Sequence, residues 1–94
     1  MPFPEAARND PSHLLVLFHP GPAEVPDGPV DVRAWVGDEG SERLVAAGPH
    51  SFAWFPDGIG ASRLTTPRLT KALGVWGTGR NWNTVRRLIE LTRV

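Results

Sequence analysis

Cysteine is absent from the 94-residue chain. That excludes disulfide staples, thiolate metal sites and a cysteine nucleophile, and it fits a reducing compartment, so a cytoplasmic location is expected. Long apolar runs are also lacking. The longest, Leu14 to Phe18, is far too short to cross a bilayer, and no membrane association is expected. The opening MPFPEAARND has no basic region followed by an apolar stretch, so no signal peptide is expected either.

Motifs that would announce a chemistry are equally scarce. No glycine-rich phosphate loop of the GxxxxGK[ST] kind occurs. Ser12, Ser41, Ser51 and Ser62 sit in no nucleophile-elbow pattern. The histidines His13, His19 and His50 match no zinc-ligand spacing and read as strand-end or surface residues. Asp38, Glu39 and Glu42 cluster near an expected turn and read as a solvated hairpin end rather than a catalytic carboxylate pair. No internal repeat is visible. No cofactor, metal or catalytic residue is implied.

What is present fits one small folded domain over residues 1–94. Glycine and proline number ten each, about one residue in five, which implies many turns. Residues 1–12 read as an extended lead-in, and residues 19–30, with four prolines, as a loop. His13 to Phe18 reads as a buried strand. Val30, Val32, Ala34 and Val36 alternate with Asp31, Arg33 and Trp35, the period of a half-buried strand. Arg43 to Ala47 is expected to pair back on it, and Ser51 to Phe55 forms another strand. There, alternation puts Phe52 and Trp54 on one face and Phe55 on the other. Core packing is the better reading for most of these aromatics than base stacking.

Two helices should follow. The first has Thr66 as cap, Pro67 at its first position and Gly74 just past its end. The second spans 81–93, is capped by Asn81, and carries Trp82, Val85, Leu88, Ile89 and Thr92 on one side. Trp82 is expected to anchor it in the core. The fold class is α+β: a small antiparallel sheet of three to four strands with two C-terminal helices packed on one face.

From Pro56 onward the chain reads PDGIGASRL, a short helix ending ALGV, then GTGRNWNTVRRLIEL. These blocks, with the opening PFPEAARNDPSHLLVLF, resemble the second half of the bacterial domain-of-unknown-function family numbered 1697, RNWNTV being the most specific part. The resemblance implies a fold and no activity. It also implies that this chain is one half of a domain about twice its length. An exposed sheet edge or apolar patch would then be left for self-association to cover.

Charge is divided along the sequence. Residues 1–60 hold three basic and nine acidic residues, a balance of −6, and residues 61–94 hold seven basic residues against Glu90, a balance of +6. Either the halves neutralise one another on packing, or the basic segment meets an anionic partner. The start of the last helix carries unpaired N–H groups beside Thr78, Arg80, Asn81 and Thr84, and the donor-rich turn at Ser62 and Arg63 could join them. The bland alternative gives Asn81 a plain capping role, turns Thr84 back toward the cap, and leaves Arg80 solvated. The functional expectation is a non-catalytic binding or interaction module with an anion site (phosphate or nucleic acid) at these six residues. The alternative is an incomplete half of an enzyme whose active site needs the missing half.

Overall fold

Alternation and proline placement together set the sheet. The computed structural model describes residues 2–60 and 62–92. The strands are β1 (Leu14–Phe18), β2 (Gly28–Val30), β3 (Arg43–Ala47), β4 (His50–Trp54) and β5 (Thr78–Asn81). They form one antiparallel sheet in the order β2-β3-β4-β1-β5. The helices are α1 (Pro4–Asn9), α2 (Arg33–Val36), α3 (Thr66–Leu73) and α4 (Trp82–Leu91), with a 3₁₀ turn at Pro11–His13. The α+β class holds, with five strands in place of three or four.

The register divides β1 cleanly. Leu15 pairs with Ala53 and Leu17 with Ser51, while Leu44 and Ala46 oppose those two β4 residues from β3. Side chains at opposed positions share a face. Leu17, Leu44, Ala46 and Ala53 therefore form one face, and they cluster with Val32, Phe55, Leu64 and the α3 residues Leu69 and Leu73. The other face carries Leu14, Val16, Phe52 and Trp54. Phe55 is buried in the core while Phe52 and Trp54 are only half-buried, so the strand aromatics divide as alternation requires. Trp54 is not an open stacking platform: its Nε1–H donates to Asp10 Oδ2 at 3.1 Å and its ring lies 6.2 Å from Phe3.

Several segments depart from the sequence expectation. The lead-in is not extended, because Pro4 falls in the first turn of α1, where a missing N–H costs nothing. His13 belongs to the 3₁₀ turn and not to the strand. The alternating stretch 30–36 is no strand. Residues 28–30 form β2 as an edge that tolerates Pro29. Asp31 then accepts the Arg33 backbone N–H at 2.9 Å and the chain turns into α2. The proline-rich 19–30 loop thus ends in sheet. The β3–β4 hairpin closes through Gly48-Pro49.

Helix ends follow capping chemistry to within a residue. Thr65, not Thr66, is the cap of α3. Gly74 ends it in the left-handed conformation, φ 74°, with its N–H on Thr70 O at 2.9 Å. Asn81 caps α4, and Arg93 lies outside the described residues. No residue of α4 is buried, and Trp82 is only half-buried, so the core anchor expected at Trp82 is not there. The helix lies beside the 3₁₀ turn and β1. Among the described residues no helix is long and apolar enough to cross a membrane.

Candidate functional site

Strand β5 and helix α4 share one residue of transition, and this junction gathers four of the six expected site residues. His19 N–H donates to Pro49 O and Phe55 N–H to His13 O. Odd-numbered β1 residues therefore bond to β4, and Val16 and Phe18 bond to β5. Their partners Arg80 and Thr78 point their side chains to the face of Val16. Asn81 ends the strand and caps the helix, its Oδ1 accepting the Thr84 N–H at 2.9 Å. One of the free helix N–H groups is thus already satisfied. Thr84 reaches the cap through its backbone, not its hydroxyl.

Arg80 is exposed, and its Nη1 donates to the adjacent Gly79 carbonyl at 2.8 Å. That contact covers one of the few backbone acceptors on the open side of β5. Beyond it, Asn81, Asn83, Thr84, Arg86, Arg87 and Glu90 line an open polar groove of about 520 Å³. Two guanidinium groups and two amides can offer donors to a carboxylate or phosphate there.

Ser62 and Arg63 do not join this groove. Ser62 Oγ donates to Glu42 Oε2 at 2.5 Å and accepts the Leu64 N–H at 3.0 Å. Glu42 immediately precedes β3, and β4 and β1 lie between β3 and β5, about 14 Å at the spacing of paired strands. The Arg63 carbonyl accepts Arg68 Nη1 at 2.6 Å, and its side chain is exposed. The donor-rich turn is a start for α3, held by Glu42.

Exposed apolar residues of α4 are the other half of this flank. Leu88 is 51 %, Ile89 46 % and Leu91 67 % exposed, and Trp76, just before β5, is 59 % exposed. Arg87 and Arg86 stand next to these residues in the helix. Basic and apolar groups therefore share the exposed surface of one helix.

One constellation escaped sequence reasoning. His19 Nε2 lies 2.8 Å from Ser51 Oγ, and its Nδ1 lies 2.9 Å from the Trp76 carbonyl. An oriented imidazole on a hydroxyl is the arrangement of a base and a nucleophile. Ser51, however, is 0 % exposed, so no substrate reaches its oxygen. Nothing in the spacing of the two residues signals this pair. It becomes visible only once the β1–β4 register places Ser51 opposite Leu17, two residues before His19.

Elsewhere, an apolar hollow of about 470 Å³ opens between Val30, Val36 and Leu44, with the Asp31–Arg33 pair at its rim. The Arg33 guanidinium, followed by the Arg33 backbone N–H, holds the Asp31 carboxyl down to about 2, and the carboxylate in turn raises Arg33. This pair is solvent-exposed and stabilises the turn into α2. Asp10 Oδ1 lies 2.9 Å from His13 Nδ1. Among the described residues no group of three His, Asp or Glu side chains is placed to hold a metal ion. Comparison with protein-family models, curated proteins and solved structures finds no match for this chain.

Proposed function

We propose that the chain is a non-catalytic binding module that presents the β5–α4 flank to an acidic, apolar-bearing segment of a partner protein. The observation that carries this reading is α4 itself. It is amphipathic and capped, yet it buries no residue and leaves Leu88, Ile89 and Leu91 in water. A helix of ten residues draws its stability mainly from a packed apolar face. Here that face is incomplete, and a partner would complete it.

Charge selects the partner's chemistry. Arg80, Arg86 and Arg87 line the polar side of the flank, with Glu90 as the one acidic group among the described residues there. Phosphate and nucleotide anions share the carboxylate's chemistry at the groove, but they leave the leucines uncovered. Pairing of two copies through sheet edges is less favoured. The β2 edge contains Pro29, and the short β5 edge has Arg80 folded over the Gly79 carbonyl. The resemblance to the second half of family 1697 supports the same reading, since a missing half would leave such a surface. Under the enzyme-half alternative the Ser51–His19 pair is the natural candidate, and the complete burial of Ser51 weighs against it.

The test is a titration of the labelled protein at low salt, following amide shifts. The probes are inorganic phosphate, a mononucleotide and an acidic leucine-containing peptide. The peptide should shift Arg80, Arg86, Arg87, Leu88 and Leu91 together. Shifts confined to Arg80–Arg87 with phosphate alone would mark a simple anion site. A silent flank with all three probes would end the proposal.

A further inference from the structure

We propose that His19 is a protonation-sensitive fastener that holds the segment leading into β5 against the sheet. This rests on the His19–Ser51–Trp76 geometry and does not depend on what α4 binds. A carbonyl oxygen only accepts. The Trp76 contact therefore requires the proton on His19 Nδ1, which leaves Nε2 as the acceptor of the Ser51 hydroxyl. In this neutral form every polar group of the trio is satisfied. The arrangement also needs Gly77: a Cβ there would lie 2.7 Å from His19 Nδ1 and 2.9 Å from Cε1. The backbone at residue 77 rests directly on the ring.

Protonation changes the roles. Nε2 becomes a donor, so Ser51 must turn its O–H away from the one side-chain partner it has among the described residues. Ser51 is fully buried among Leu17, Ala46 and Ala53, and an unmatched buried hydroxyl is costly. The Nδ1–H bond to Trp76 gains from the added charge, but that bond is exposed to water, which competes for it. The reversed Nε2–H bond to Ser51 Oγ gains from the charge as well, but it strands the hydroxyl proton where water cannot reach it, and that stranding loosens the fastening.

Counter-charges do not reverse this sign. The narrow cleft beside the ring is walled by Leu17, Leu69, Leu73 and Val75, with Thr66 and Thr70 as its polar members. The flanking segments carry Glu24 against Gly74, Lys71 on α3, and His50 edge-on to Phe18. None of the three is bonded to His19 among the described residues. Histidine is the side chain whose charge ordinarily changes between about pH 5 and 8. The fastener would therefore release the Trp76–β5 segment under mild acid.

Hydrogen exchange on the whole chain tests this through the Thr78 and Arg80 amides, which bond to β1. After correction for intrinsic rates, their opening should rise from pH 7.5 to 5.5, while β3–β4 amides hold steady. Ser51→Ala removes the hydroxyl that protonation strands, and should flatten the pH response. His19→Gln should do the same. Equal protection of Thr78 and Arg80 at both pH values in the unaltered protein would overturn the proposal, as would a pH response that survives in Ser51→Ala. Should both variants fail to fold, the ring's nitrogen shifts in the unaltered protein decide: a neutral ring protonated at Nε2 would overturn it.

Discussion

A single methyl group added at Gly77 would collide with an imidazole held at both nitrogens. Gly77→Ala should therefore destabilise the fold by about 1–3 kcal/mol, the usual range for overpacking, as read by urea denaturation. Asp31 gives a second test at this scale. Its folded value of about 2 lies below the ordinary 3.8, so the pairing with Arg33 is present above about pH 4 and is lost as pH falls toward 2. Arg33→Ala should return the Asp31 titration midpoint toward its ordinary value, measured by carboxyl carbon shifts. Single-residue chemistry was partly legible in the sequence. Asn81 and Gly74 act locally, on atoms a few residues away, and their types disclose their jobs. His19 and Ser51 act across strands, and only the register unites them. The same limit explains why Ser62 and Arg63 could not be separated from Arg80: the sequence carries no measure of the strands between them.

Elements were legible where local chemistry and tertiary demand agree. Helices α3 and α4 have caps and apolar periodicity that coincide, and β1, β3 and β4 are short apolar runs between turn residues. Residues 30–36 show the opposite. Their alternation argues for a strand, but the Asp31 side chain captures the Arg33 N–H and starts a turn of helix instead. Strand β5, TGRN, has no strand-like composition, and it exists because β1 offers it a partner. The two long helices should respond differently to truncation. Leu73 is 0 % exposed within the core cluster, and Leu73→Ala should cost about 2–5 kcal/mol. Trp82 is half-buried outside that cluster, and Trp82→Ala should cost less, about 1–3 kcal/mol. Thermal unfolding of the pair would rank them, and a larger loss at Trp82 would show that α4 is the true anchor.

For the molecule as a whole, the exposed apolar residues of α4 lie on the same flank as Arg80, Arg86 and Arg87. Replacing Leu88 and Leu91 together by aspartate should leave the melting temperature nearly unchanged, since exposed substitutions away from buried features shift stability by only about 0.5 kcal/mol. It should abolish peptide-induced shifts along the helix. Arg80→Ala should likewise fold normally while weakening the response to phosphate. A marked loss of stability in the leucine variant would mean that Leu88 and Leu91 are covered by the chain's own residues in solution.

The strand order carries a consequence for how the chain reaches this shape. Strand β1 lies between β4 and β5, both of which are made after it. Leu14 to Phe18 must therefore wait, unpaired and apolar, until much of the chain exists. The β3–β4 hairpin closes through two residues and can form alone and early. The first strand then slots in beside it, and the last seals the side. Assembly in that sequence pays loop-closure entropy late, which predicts refolding in milliseconds or slower for so small a protein. It also makes the interval before β1 is sheltered the moment when a growing chain is most open to capture by others.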